Sequence, residues 1–572
     1  MMKKLLFAFA FFTHLFAFAQ FPNSINSTLL PSSGGQILDV IDYDNDSYED
    51  VVYQNGPSGN LEIYRNMGGT FSKVTASLGF PVIVGNGQGS EGVISFDYNT
   101  DGYQDLLVMG AETFGYFRLF KNNCGKSFTE VSTAMNMPSN PNIVSQYLTR
   151  DPMVLINDYD KDNDLDIVYV RFASGEYKIS ALKNGGTTYS APVDLFTGFG
   201  SSTIPIISFF DYDNDMDDDL LAIKNTDVKQ ACEILLYENN GAGTFNLLGT
   251  TGLTNSSPVG FANITDYNQD GFNDIVLGTK DTVSPGPGNF GLKVFENNFG
   301  VGTFTDQTFS FNTIANLNGD YYRSHIFDVN NDGFNDVLWE FKRNDSIASA
   351  SKLMINDGFN FFTNNHNTLI STAITDTSSK LKYTVFDYDN DGYQDIFVPG
   401  TASNAKMFQN TGGTTNSFLT LNLYSCSVEP IGARVYVRAG TYRGFQTYSS
   451  QGFSSDGTGK SEKLHFGLGA NSFVDSLVVY WPNGNVSIET GFFANTEYNV
   501  VEGTCAIAQP VAFDFGIDTI TYCDVDTAIV YAPSGYPKYL WSTGDTTNEG
   551  KATQSGWLSC KITFYGGCEI TD

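Results

Sequence analysis

The residues best equipped for chemistry are carboxylates that recur at one fixed spacing. The pattern Asp-x-[Asp/Asn]-x-Asp-x-x-x-Asp, followed by an apolar residue, begins at Asp42, Asp97, Asp158, Asp211, Asp266, Asp328 and Asp387. Successive starts are 55, 61, 53, 55, 62 and 59 residues apart. In a tight loop, side chains at alternate positions turn inward, and clustered carboxylates form an oxygen cage for a hard cation. One such loop is equally well read as an acidic turn that solvates a hairpin. Seven in one register point to a shared site and to a repeat architecture.

The expected ligands are the side chains at the first, third, fifth and ninth positions, with the backbone at the seventh. The first loop offers Asp42, Asp44, Asp46, Tyr48 and Asp50, the second Asp97, Asn99, Asp101, Tyr103 and Asp105. The third offers Asp158, Asp160, Asp162, Asp164 and Asp166, the fourth Asp211, Asp213, Asp215, Asp217 and Asp219. The fifth offers Asp266, Asn268, Asp270, Phe272 and Asp274, the sixth Asp328, Asn330, Asp332, Phe334 and Asp336, and the seventh Asp387, Asp389, Asp391, Tyr393 and Asp395. The donors are all oxygens on short loops, with no His or Cys among them, so the predicted cofactor is Ca2+, up to seven ions, one per repeat. An EF-hand would need Glu at the twelfth position, where Tyr53, Val108, Tyr169, Ala222, Leu277, Trp339 and Val398 stand. The ninth Asp is therefore the last ligand, and the chain runs from it into a strand. The sixth position has to bend sharply. Gly102, Gly271, Gly333 and Gly392 suit that, whereas Ser47, Asn163 and above all Met216 suit it less.

Elements that position these loops are visible on either side. An apolar stretch precedes each loop, as VISF before Asp97, and another follows, as Leu106-Leu107-Val108. An aromatic strand then ends in an Asn-Gly turn and a further aromatic, as in LEIYRNMGGTF, RLFKNNCGKSF and KVFENNFGVGTF, with weaker versions in repeats three and six. Four short strands per repeat and no long helical period predict an all-β chain, with a seven-bladed β-propeller over 20–415. Asn26–Pro31 is expected to complete the last blade as its outer strand.

The 572 residues carry a net charge of −32, which excludes a general nucleic-acid binder. The motif positions hold 25 of the 63 acidic side chains, so the acidity is largely site chemistry. Residues 1–19 read as a secretory signal peptide, with Lys3 and Lys4, an apolar run from Leu5 to Phe18 and an Ala17-Phe18-Ala19 cleavage signal. No later stretch is apolar enough to cross a bilayer. Export permits disulfides. Cys124, Cys232 and Cys426 stand isolated and read as buried apolar residues, while Cys505, Cys523, Cys560 and Cys568 allow three pairings.

The loop with its Asn-Gly-Phe turn resembles the FG-GAP/VCBS repeat, which implies a seven-bladed propeller with calcium in hairpin loops. IGARVYVRAG from Ile431, YSSQGFSS from Tyr448, LHFGLG from Leu464 and VDSLVVYWPNG from Val474 resemble the ASPIC/UnbV domain, set here at 416–503. The combination is similar to the cartilage acidic protein family and its bacterial relatives, which implies secretion and extracellular interaction but no defined reaction. Gly432, Arg434, Gly467, Gly469, Trp481, Pro482 and Gly484 of this segment read as architectural, the glycines as turn residues, and Arg434 as solvated or salt-bridged rather than anion-binding. A β-rich, sandwich-like domain is expected. Residues 504–572, with YLWSTGDTT and GGCEITD, resemble the Ig-like modules of Bacteroidota surface proteins, here partial, and Cys523 with Cys568 is the pairing expected there.

No Ser-His-Asp pattern, phosphate loop or zinc motif is visible, and His14, His325, His366 and His465 lack ligand spacing. The expectation is a secreted, calcium-stabilised, non-catalytic binding or adhesion protein for an extracellular protein or glycan, with cell-surface association and oligomeric state left open. The rival is a polysaccharide-degrading enzyme or its accessory subunit, since glycosidases use paired carboxylates. A pure scaffold is the blander third reading.

Overall fold

The computed structural model describes residues 24–571 apart from 27–29, 31–34, 56–59, 82–90, 111–115, 140, 144–152, 203, 226–231, 256, 281–289, 308–318, 344–348, 357, 359–361, 365–382, 400–405, 413–414, 426–428, 450–462, 504–527, 533–537, 555–556 and 564–568. The expected signal segment lies outside them. The described residues are all-β, and no helix among them is long and apolar enough to cross a membrane.

Each repeat forms one four-stranded antiparallel sheet, in chain order from one edge to the other. In the first, Gln36–Ile41 leads into the acidic loop, Asp50–Gln54 leaves it, and Leu61–Asn66 and Phe71–Lys73 form the Asn-Gly hairpin. The ninth Asp is thus the first residue of the second strand. The seventh repeat supplies Thr384–Phe386, Asp395–Val398 and Lys406–Phe408. Its outer strand is Ser24–Asn26, paired with Lys406–Phe408. The N-terminal segment therefore completes the last repeat as expected, but with residues that precede Asn26 rather than follow it.

The strand after each loop is apolar without alternation, because both of its faces are covered. Val52 packs with Val93 and Val108 of the second repeat, whereas Val51 and Tyr53 pack with Phe386 and Phe397 of the seventh. In the fifth repeat Ile275 shares a core with Leu220 of the fourth, and Val276 with Val337 of the sixth. The first and last repeats are joined by the same kind of core as neighbours in sequence.

The next segment has two larger sheets and a small two-stranded one, Phe473–Val474 with Phe492–Phe493. Ser417–Tyr424 lies between Leu464–Gly469, antiparallel to it, and Thr496–Val501, parallel to it. Tyr442–Thr447, Arg434–Ala439, Ser476–Tyr480 and Val486–Glu489 form the second sheet in that order. Leu421, Val435, Phe466, Val479 and Trp481 share one core between them. Toward the end, Ala528–Tyr531 pairs with Glu549–Ala552, and Lys538–Trp541 with Cys560–Thr563, around buried Trp541 and Cys560.

Cys124 is disulfide-bonded, which corrects its reading as an isolated apolar residue. It sits half-buried in a turn at φ 56°, not in the core. Cys232 and Cys560 are free thiols. Cys426, Cys505, Cys523 and Cys568 lie outside the described residues.

Candidate metal centres

Each acidic loop is folded by its own carboxylates. In the first, Asp42 Oδ1 accepts the Asp46 N–H at 3.0 Å and Oδ2 accepts the Ser47 N–H at 2.8 Å. Asp46 Oδ1 then accepts the N–H of Tyr48 at 3.0 Å. The seventh loop repeats this: Asp387 accepts the N–H groups of Asp391 and Gly392 at 3.1 and 2.7 Å, and Asp391 Oδ1 accepts that of Tyr393 at 3.0 Å. These bonds require the left-handed conformation at the sixth position. Gly271 and Gly392 have φ 87° and 85°, and Met216 is held at φ 78° with its N–H 2.9 Å from Asp211 Oδ2. Met216 therefore bends as glycine would, against the preference of its Cβ. The fourth position is left-handed as well, at Asn45, Thr100, Lys161, Asn214, Gln269, Asn331 and Asn390, a demand the sequence reading missed.

The ninth Asp is anchored from two sides. Asp274 Oδ2 accepts the Tyr267 N–H at 3.2 Å, and Oδ1 accepts the Asn297 N–H at 2.8 Å. Asn297 in turn donates from Nδ2 to Tyr212 O of the preceding repeat at 2.7 Å. The equivalents Asn66, Asn122, Asn239, Asn356 and Asn410 make the same staple to Tyr388, Tyr43, Tyr159, Tyr267 and Val329. A second set of bonds runs from loop to loop. The fourth-position side chains of Asn45, Asn214, Gln269, Asn331 and Asn390 donate to the carbonyls of Gly102, Gly271, Gly333, Gly392 and Ser47 at 2.9–3.0 Å. Asn390 to Ser47 links the last loop to the first.

Of the predicted ligands, the structure gathers the first, third and ninth in the first, third, fourth and seventh loops. Carboxylate oxygens of Asp42, Asp44 and Asp50 lie within 4.8 Å of one another, as do those of Asp158, Asp160 and Asp166, of Asp211, Asp213 and Asp219, and of Asp387, Asp389 and Asp395. The fifth Asp falls outside these groups and caps the seventh N–H instead. Asp217, at the seventh position, turns its side chain to Lys161. The triads fit a divalent cation on their own evidence. Asp44 Oδ1, Asp160 Oδ1, Asp166 Oδ2 and Asp389 Oδ1 are buried without a hydrogen-bond partner, and a buried carboxylate oxygen left so is costly. Burial first, then neighbouring carboxylates, pushes Asp42 and Asp266 up to about 7, and Asp387 to about 8. Asp166 and Asp219 at the ninth position rise to about 9 for the same reasons. A bound cation would offset this strain.

The two-sheet segment sits on the loops. Arg434, 5% exposed, pairs with Asp211 Oδ2 at 3.1 Å and donates to Asn214 Oδ1 at 2.9 Å, so it is salt-bridged as read. His465 Nε2 lies 2.7 Å from Asn331 Oδ1, and Gly469 N–H donates to Asn331 O at 2.9 Å. Lys463 donates to Ser47 O at 2.6 Å. A Cβ on Gly467 would stand 1.9 Å from Asp328 Oδ2, and one on Gly392 1.9 Å from the Phe418 ring. Close approach, not a turn, is what Gly467 supplies. Apart from Gly392 with Phe418, this contact was invisible in the sequence, since its partners are more than a hundred residues apart. Between the segment and the sheets lies a cavity of about 170 Å³ lined by Asn157, Asn263, Asn273, Gln446 and His465 among others.

An all-β chain of loop-bearing sheet repeats with a two-sheet cap is the class that fold and sites define. Residues 42–108 match the FG-GAP-like repeat, and residues 427–507 match the ASPIC and UnbV domain. No curated protein matches the chain. Solved structures with some likeness include an Agrocybe aegerita lectin that recognises non-reducing terminal N-acetylglucosamine (18% identity, TM-score 0.36, 59% of this chain and 82% of that one). The BP39L lectin from Burkholderia pseudomallei follows at 13% identity and TM-score 0.41, covering 66% of this chain and 98% of that one. The V. cholerae biofilm matrix protein Bap1 gives 12% identity and TM-score 0.29 over 82% of this chain and 70% of that one.

Proposed function

We propose that the chain is a secreted, calcium-stabilised, non-catalytic binding protein whose partner is an extracellular protein or glycan. In this reading residues 20–415 form a seven-bladed β-propeller, 416–503 its cap and 504–572 an Ig-like module. The observation that carries it is the convergence of three carboxylates at the tip of repeated hairpins, with buried oxygens that lack partners. The first, third and ninth side chains of each loop would hold Ca2+, with the fifth Asp and the seventh carbonyl drawn in. The ion supplies positive charge and oxygen coordination at a place where the fold has buried mutually repelling groups.

The carboxylates of the triads are thereby committed to structure and not to acid–base chemistry. The cap occupies much of that face through Arg434, Lys463 and His465. Partner recognition is therefore assigned to the opposite face and the rim. The test is a panel of immobilised glycans and extracellular proteins probed with the full chain, in calcium and in EDTA. Calcium-dependent retention without product supports the reading, and released oligosaccharide overturns it.

A further inference from the structure

The seven loops are not equivalent, and the difference lies beside them. The residue just before the stapling Asn, or before its counterpart Asn184 in the third repeat, is Arg65, Lys121 and Lys183 in the first three repeats, Glu238 and Glu296 in the fourth and fifth, and Ile355 and Gln409 in the last two. This shoulder position has one place in the hairpin register, shown by Arg65 opposite Ser72, Lys121 opposite Thr129 and Glu296 opposite Thr305. From there a side chain reaches the loop. Arg65 Nε is 2.9 Å from Asp44 Oδ2 and Nη2 is 2.9 Å from Asp46 Oδ2, so one guanidinium spans the third and fifth carboxylates. Lys121 Nζ lies 3.0 Å from Asp101. Lys183 contacts Asp160 and lies 3.2 Å from Asp162. Even the neutral Gln409 donates to Asp389 Oδ2, at 2.6 Å.

We propose that the shoulder residue sorts the loops into classes of calcium site. Arg65, Lys121 and Lys183 are built-in cations that hold the first three loops without an ion and compete with one. Glu238 and Glu296 instead put a negative charge beside the loop, Glu296 accepting from Tyr267 Oη–H at 3.3 Å, so their loops fill at lower calcium than the first three, keep the ion longer on chelation and repel most once emptied. The sixth and seventh have neutral shoulders, and Asn at the third position takes one carboxylate from the second, fifth and sixth loops, so the fourth fills first, the fifth alongside the seventh, and the sixth after them. Arg434 also touches the fourth loop, but on the Asp211 oxygen that takes the Met216 N–H, away from the third and fifth positions. Calcium affinity follows the charge and number of ligands, so exchanging one unit charge for its opposite at a shoulder is expected to move it by ~10-fold or more.

This inference rests on the calcium reading above, and the test separates the two. The stripped full-length chain is dialysed to equilibrium against graded calcium chloride, and bound ions are counted per chain. Unequal classes are expected, with the tightest lost to weaker binding by ~10-fold in E238K/E296K, and by a smaller factor in the milder E238Q/E296Q. R65Q/K121Q/K183Q is expected to tighten the weak class and to lower the melting temperature in EDTA. Equivalent sites in the wild type, or a tight class unmoved by both Glu pairs, would overturn the sorting and leave the calcium reading intact. A chain that binds no calcium at all overturns both.

Discussion

At the scale of single residues, the loops show a demand that outranks residue preference. Four of the seven sixth positions are Gly, and Met216 takes the same left-handed backbone because its N–H has to reach Asp211. The cost of a Cβ there is about 1 kcal/mol. Met216→Gly should therefore stabilise the protein by ~0.5–1 kcal/mol, the gain being reduced because Gly loses more freedom on folding. A urea midpoint that falls instead would show that the Met side chain contributes packing the backbone argument ignores. The sixth-position requirement was legible in the sequence because Gly marks it. The fourth-position requirement was not, since Thr100, Lys161 and Gln269 tolerate the left-handed region poorly and so do not advertise it.

At the scale of elements, the repeat is stitched to its neighbour by one buried side chain rather than by strand pairing. Asn297 donates to Tyr212 O and Asn273 O, and its Oδ1 accepts the Gly300 N–H at 2.9 Å. Asn297→Ala removes these bonds and strands buried carbonyls, for a loss of roughly 2–4 kcal/mol. Asn184, in the third repeat, is buried but makes no staple to Tyr98 among the described residues. Asn184→Ala should cost clearly less, and equal losses in calorimetric melting would refute the staple. The strands, the loops and the Asn-Gly turns could all be read from periodicity, because local patterning fixes them. The staples, the loop-to-loop bonds and the cap's seat could not, because the repeat period says which residues recur but not which of them neighbouring repeats bring into contact. Gly467 shows the difference. Its type suggested a turn, whereas the structure gives it no positive φ and places it against Asp328 and Asn331. Gly467→Ala should loosen the cap from the sixth loop, seen as new protease cleavage near residue 416 in calcium, while the four-stranded sheets of the repeats stay resistant.

At the scale of the whole molecule, the buried loop carboxylates couple stability to protons and, on the calcium reading, to metal as well. In the ion-free protein burial raises Asp42 and Asp266 to about 7, Asp387 to about 8 and Asp166 and Asp219 to about 9, against an ordinary value of 3.8. The folded chain then holds more protons than the unfolded chain between those limits. A raised carboxyl contributes stability that is fully present below its unfolded value and lost as pH rises through its folded value. In EDTA the melting temperature should therefore fall as pH rises from about 4 to about 9. In calcium the order reverses over the same window, because the ion needs the carboxylates deprotonated and displaces their protons. The gap between the two melting curves should widen steadily with pH, and calcium loading at pH 7 should release protons into a weakly buffered solution. Buried His465 adds a smaller effect of opposite sign in the cap. Burial lowers it to about 4, so its contribution is present above its ordinary 6.5 and lost as pH falls toward 4. Parallel melting curves in calcium and EDTA, with no proton release, would mean that the buried carboxylates are already satisfied without metal, and the ring would then be held by its hydrogen bonds alone.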